Sequence, residues 1–113
     1  MKSDDLIRVR HMLEAAEEAR GFLGTTPFEE FKKNRLMVNG IVRSLEVIGE
    51  AAANITEETK NVHSQIEWPV IVGMRNRLIH AYFDVDYHIV WKTVNENLPP
   101  LIDKLKNILE KQT

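Results

Sequence analysis

The apolar residues of this chain recur at helical spacing, most regularly between Val38 and Ala52. They fall every three or four positions there, which places them on one face of an α-helix. No run of alternating β-branched and polar residues marks a strand. We therefore predict an all-α fold, a bundle of four to five helices joined by short connections.

Capping residues and prolines predict where these helices begin and end. The segment Thr26-Pro27-Phe28-Glu29 combines an N-cap threonine with a proline and an acid in the first turn. Pro69 starts a later helix in the same way, and Pro99-Pro100 is expected to break or kink the chain. The predicted helices run from about Asp4 to Gly21, from Pro27 to about Asn54 and from Pro69 to near Tyr82, with a short turn at 56–59, an Asp86-capped helix and a last helix after Leu101.

Length and composition limit the function classes. The 113 residues fit one domain, residues 1–113. The net charge of −2 argues against a protein that coats nucleic acid non-specifically, so a polyanion would have to bind at a local patch. The chain has no cysteine, which suits a reducing cytoplasm. No apolar stretch reaches membrane-spanning length, and the N-terminus does not resemble a signal peptide, so we expect no membrane partner.

The segment at residues 73–82 carries the candidate chemistry: Arg75, Asn76, Arg77, His80 and Tyr82. Histidine exchanges protons near neutral pH, and arginine holds phosphate in a fixed fork. This pair suits RNA cleavage without a metal or another cofactor, because the ribose 2′-hydroxyl supplies the nucleophile. Asn76 and Arg77 would then support the site or bind RNA.

An ideal helical wheel separates the two main candidates. Arg75 and His80 lie about 140° apart on it, and Arg75 falls within the apolar arc of the predicted helix. A buried arginine needs a partner or a cleft. The wheel therefore favours a site shared across a two-fold axis, to which each subunit contributes one copy of the motif.

The Arg-x4-His spacing has other interpretations. It occurs by chance in many helices, and a structural ion pair of Arg75 with a capping role for His80 would explain it. The i, i+4, i+8 spacing of His80, Asp84 and His88 resembles a metal site. However, the two aspartates of Asp84-Val85-Asp86 are typical of a loop, so we predict no metal there.

Several blocks together resemble the HepT-like group of HEPN ribonucleases. They are Val47-Ile48-Gly49-Glu50-Ala51-Ala52, Ile66-Glu67-Trp68, the 73–82 segment, Val85-Asp86 and Val90-Trp91, in the family's order. The resemblance implies a helical homodimer with a metal-independent endoribonuclease site at its interface, formed by Arg75 and His80. It also implies the toxin half of a HEPN/MNT toxin–antitoxin pair. The cognate minimal nucleotidyltransferase antitoxin would transfer AMP to the motif tyrosine, Tyr82.

Three residues of the second predicted helix bear on this interpretation. The family's Gly-Glu-Ala block places Glu50 on the polar face of the second helix with Glu46, and we expect one of them to approach the motif helix or the dimer partner. An Arg75–Glu50 pair is our specific hypothesis. Gly40 departs from the family pattern, and a close approach of two helices would explain it. The alternative functions are a non-catalytic helical module that binds nucleotides or docks a nucleotidyltransferase, and a purely structural partner.

Overall fold

The computed structural model describes residues 1–81 and 84–112, and for residues 79–81 it describes the backbone only. The helices are α1 (Ser3–Leu23), α2 (Phe28–Lys33), α3 (Arg35–Ala53), α4 (Glu57–Val62), α5 (Trp68–Val72), α6 (Met74–Leu78), α7 (Tyr87–Lys92) and α8 (Leu98–Glu110). A π-helical turn, Thr93–Asn97, joins α7 to α8, and two short strands, β1 (Ile79–Ala81) and β2 (Asp84–Val85), follow α6. Consecutive helices group into five segments, which confirms the predicted all-α bundle.

The core forms between α1, α3 and α8. Alanines at positions 15, 16 and 19 are buried on α1 and let the backbone of another helix approach closely. The predicted apolar face of α3 is buried as expected: Val38, Ile41, Val42, Leu45, Ile48 and Ala52. Helical periodicity was sufficient to predict this face because burial on a bundle helix follows the 3.6-residue turn.

The second predicted helix is wrong in one respect. A single helix from Pro27 to Asn54 was expected, but the chain breaks at Asn34, between α2 and α3. The Asn34 side chain accepts a hydrogen bond from the backbone N–H of Met37 at 3.0 Å and so caps α3. The threonine signal also failed, since α2 begins at Phe28 with no side-chain cap.

The paired prolines do not interrupt the last helical segment. Pro99 and Pro100 lie in the first turn of α8, and the π-helical turn immediately precedes them. Because proline lacks an N–H, it leaves carbonyls of the preceding turn without their usual partner, and a π-helical turn rearranges that hydrogen bonding. The chain therefore runs through α7 and α8 without a loop. No helix within residues 1–81 and 84–112 is long and apolar enough to cross a membrane.

A buried carboxylate joins the N-terminal helix to α4. Asp5 is fully buried and accepts hydrogen bonds from the Thr56 N–H at 3.1 Å, the Thr56 hydroxyl at 2.6 Å and the Thr59 hydroxyl at 2.6 Å. Burial alone would raise the pKa of Asp5, but these hydrogen bonds and the Arg8 charge lower it below 3.8 overall.

Candidate active site

The helix that carries the arginines of the motif, α6, is short and exposes its polar residues to solvent. Met74 and Leu78 are buried and anchor α6 to the core. Arg75, Asn76 and Arg77 lie between these anchors and are all exposed. With only two inward positions, α6 displays three polar side chains in succession. The sequence predicted these residues together, and the structure brings them to one exposed helical turn.

The predicted start of the motif helix at Pro69 is confirmed, but the prediction is wrong in the middle of the helix and at its C-terminal end. Gly73 separates α5 from α6, and α6 ends at Leu78 instead of near Tyr82. The 100° wheel does not extend across such a break, so the expected burial of Arg75 is also wrong: its side chain is 58% exposed. His80 lies on β1 and is not one helical turn from Asn76.

Arg75 pairs with a carboxylate on α3. Its Nε donates to Oε2 of Glu46 at 3.0 Å, and the Glu46 side chain is only 23% exposed. The contact uses Nε, so it does not occupy the two terminal guanidinium nitrogens. One glutamate of the α3 polar face therefore approaches the motif helix, as expected. The specific Arg75–Glu50 hypothesis is wrong, because Glu50 instead pairs with Arg43 at 4.0 Å.

A glycine on α3 sets the distance between α3 and the motif segment. A Cβ built on Gly49 would lie 3.3 Å from the carbonyl oxygen of Ile71, a backbone atom of α5. That contact is tight, and a backbone atom gives way poorly. Gly49, one turn after Glu46, thus lets the α5 backbone approach α3. At Gly40, where a close helix approach was expected, a Cβ would lie 3.3 Å from the Phe22 ring of α1, so the tight neighbour there is a side chain and not a helix backbone.

An antiparallel pair of strands follows α6 and was not predicted. Ile79 pairs with Val85 and Ala81 with Asp84, so β1 has one residue more than β2 between the paired positions. That extra residue is His80, which makes it the bulged position of the pair. Each strand is too short to show an alternating pattern, which is why sequence periodicity missed it.

Asp86, which follows β2, is hydrogen-bonded to the last residue of α6. The N–H of Asp86 donates to the carbonyl of Leu78 at 2.8 Å, and the Asp86 carboxylate accepts from the N–H of Ile89 at 3.0 Å. Asp86 caps α7 as predicted. The backbone of His80 is thereby held between two helices. The side chain of His80 and all of Tyr82 lie outside the described residues.

Two findings concern the ionisable groups outside the motif. No group of three histidine, aspartate or glutamate side chains suited to a metal ion occurs in the part of the chain whose side chains are described. His63, half-buried near α4, has a pKa below 6.5 because burial and the positive charges of Lys111 and the N-terminus disfavour its protonated form.

Comparison with known proteins places this arrangement in a family. The family model "Ribonuclease HepT-like" matches residues 12–108. The chain is 39% identical over 104 residues to "Putative RNase TTE0752" of Caldanaerobacter subterraneus subsp. tengcongensis, covering 92% of this chain and 93% of that protein.

Two further relatives are also named as ribonucleases. The chain is 37% identical to "Probable ribonuclease HepT" of Thermococcus cleftensis, over 96% of this chain and 98% of that protein. It is 36% identical to "Putative RNase MJ1380" of Methanocaldococcus jannaschii, over 80% and 83% of the two chains. No solved structure matches. The chain therefore belongs to the HepT-like ribonucleases of the HEPN class.

Proposed function

We propose that residues 1–113 form one HEPN domain that acts in the cytoplasm as a metal-independent endoribonuclease, the toxin of a HEPN/MNT toxin–antitoxin pair. The observation that carries this proposal is the geometry of the motif. Arg75 is exposed and held at Nε by Glu46, while His80 occupies a strand bulge that directly follows the same short helix. Bulges are frequent next to active sites because they redirect a side chain.

The proposed reaction is a transesterification within the RNA. His80 removes the proton from a ribose 2′-hydroxyl, and the 2′-oxygen forms a bond to phosphorus as the bond to the 5′-oxygen breaks. The leaving 5′-oxygen takes a proton from an imidazolium, either of the same His80 or of the partner subunit's copy. The products are a 2′,3′-cyclic phosphate and a 5′-hydroxyl.

Arg75 stabilises the negative charge that develops on the phosphate oxygens. Its terminal nitrogens are not used in the Glu46 contact, so they suit bidentate binding of phosphate. Asn76 and Arg77, exposed on the same turn, bind the adjoining phosphates or orient the imidazole. We place the site at a homodimer interface, where two motifs double the local positive charge of a chain whose net charge is −2.

The family resemblance supports a specific mode of control. A minimal nucleotidyltransferase antitoxin would transfer AMP to Tyr82, two residues after His80. Each added AMP places a phosphate and a base where the RNA backbone would bind. Charge repulsion and steric exclusion would then prevent cleavage.

The test is RNA cleavage in EDTA by the purified protein and its variants. His80→Ala and Arg75→Ala should abolish cleavage, whereas His88→Ala and Arg43→Ala should retain it, since these control residues are exposed and lie on α7 and α3. Wild-type products should carry a 2′,3′-cyclic phosphate. Cleavage that persists in His80→Ala, or that EDTA abolishes, would refute the proposed chemistry. RNA or nucleotide binding without cleavage would instead support the non-catalytic module.

A further inference from the structure

A cleft of about 190 Å³ lies between the motif segment and the last helical segment. Its apolar lining includes Met74 of α6 and Leu98 and Leu101 of α8, all buried. Polar side chains also line it, among them Arg77, Asn97 and Lys104. The cleft thus combines an apolar floor with a polar rim.

Arg77 connects this cleft to the motif. Arg75 contacts Glu46 on α3, whereas Arg77, two residues later, lines the cleft beside α8. Residues two apart point to different sides of a helix. The single turn of α6 therefore presents one guanidinium towards α3 and the other towards the cleft. A strand of RNA that crosses this turn would meet both.

The size and charge of the cleft limit what it binds. Its volume is below the roughly 300 Å³ at which sites for whole small-molecule ligands begin, so it suits one planar ring system and not a peptide segment. Two cations, Arg77 and Lys104, outnumber the one acid, Glu67, among its lining residues. Lys104 is held in place by donating to the carbonyl of Gln65 at 3.1 Å. The charge balance favours a ligand that carries phosphate beside its ring.

We propose that this cleft is a base-binding subsite, which holds one unstacked base of the RNA strand whose phosphate lies at Arg75. The inference rests on the proposed ribonuclease function. Met74 and Leu101 contact the face of the base, while Asn97 and Glu67 supply hydrogen-bonding groups for its edge. Arg77 and Lys104 bind the flanking phosphates. The subsite gives the enzyme a preference at one nucleotide next to the cleaved bond.

The test fills the cleft without altering the motif. Val70 lines the cleft and is 43% exposed, whereas Val72, also on α5, does not line it and is 39% exposed. Val70→Trp should occupy the subsite, and Val72→Trp is the matched control. We expect Val70→Trp to weaken binding of a 2′-O-methylated, non-cleavable RNA oligonucleotide about ten-fold in fluorescence anisotropy, the loss typical of one stacked base. Val72→Trp should bind like wild type.

An abasic substitution identifies the base as the ligand. The RNA affinity of wild type should fall by a similar factor when the one nucleotide that fits the cleft is made abasic. The affinity of Val70→Trp should not fall further on this RNA, since both changes remove the same contact. Equal binding by Val70→Trp, Val72→Trp and wild type would overturn the subsite. The subsite would also be overturned if the losses of affinity caused by the abasic nucleotide and by Val70→Trp were additive.

The same measurements separate this inference from the proposed catalysis. Cleavage by wild type with no effect of Val70→Trp on affinity or on the nucleotides at the cleavage sites would refute the subsite and leave the catalysis standing. Cleft-dependent binding without any cleavage would refute the catalysis and support the subsite. Failure of wild type both to bind and to cleave RNA would overturn both.

Discussion

The side chains of Arg75 and Glu46, separated by 29 positions in sequence, form a hydrogen-bonded ion pair of 3.0 Å between α6 and α3. Glu46 is more buried than Arg75, so the carboxylate is held by the fold while the guanidinium is exposed to solvent. An ion pair with one member this exposed contributes little to stability. We infer that its main effect is to orient the arginine.

We predict that Glu46→Gln impairs RNA cleavage more than it impairs folding. Without the charged partner, the Arg75 guanidinium samples more orientations, and kcat/KM should fall roughly ten- to a hundred-fold. The free energy of unfolding should change by less than about 1 kcal/mol. Single-turnover cleavage and urea denaturation measure the two effects. Glu50→Gln is the control, since Glu50 pairs with Arg43, and its activity should match wild type. Equal activity of both variants would contradict the orienting role.

Tyr82 is the predicted target of AMP transfer. Tyr82→Phe should still cleave RNA, because the mechanism does not use the phenol, but it should escape inhibition by the antitoxin in the presence of ATP. Mass spectrometry should detect added AMP on wild type and none on the variant. Tyr87→Phe is the matched control, since Tyr87 is the other tyrosine of the chain and is 39% exposed. AMP found on Tyr82→Phe would refute the assignment.

Asp5→Asn should destabilise the fold strongly. The amide loses the charge that accepts from Thr56 and Thr59, and it places an N–H₂ against groups that donate. We expect a loss of about 2–4 kcal/mol in the free energy of unfolding, measured by denaturant titration at pH 7. Asp4→Asn is the control, because Asp4 is exposed one residue earlier.

The Asp5 effect should also depend on pH. The pKa of Asp5 is lowered in the folded state from 3.8, so the folded state binds the proton less readily than the unfolded state. Its contribution is therefore fully present above the unfolded-state pKa and is lost as the pH falls through the folded-state pKa. The difference in the free energy of unfolding between wild type and Asp5→Asn should become smaller below about pH 4. A gap that stays constant down to pH 2 would contradict this.

Two glycines of α3 should respond oppositely to alanine. Gly49→Ala forces a Cβ against the Ile71 carbonyl, and we expect a loss of about 1–3 kcal/mol together with reduced cleavage, since α5 leads into the motif helix. Gly40→Ala meets only the Phe22 ring, which is 46% exposed and can move aside. Higher helix propensity should then stabilise the protein by about 0.5–1 kcal/mol. Thermal and urea denaturation of the two variants measure both changes.

Periodicity and composition were enough to predict much of this protein. The all-α class and the buried face of α3 follow from local spacing, because each helical hydrogen bond closes within one turn of the same chain. The candidate residues of the motif were also chosen from sequence, since the side-chain chemistry of Arg75 and His80 does not depend on the fold.

The arrangement of the motif was decided by tertiary contacts. A wheel assumes an unbroken helix, and it failed at Gly73 and again after Leu78, where β1 begins. The choice of Glu46 over Glu50 as the partner of Arg75 depends on how α6 lies against α3. The approach at Gly49 helps set that packing through a backbone contact with α5. Sequence therefore determined which residues we propose to carry the chemistry. The packing of α3 against α5 and α6 decided where the described ones lie, because contacts between distant segments leave no periodic signal in the chain.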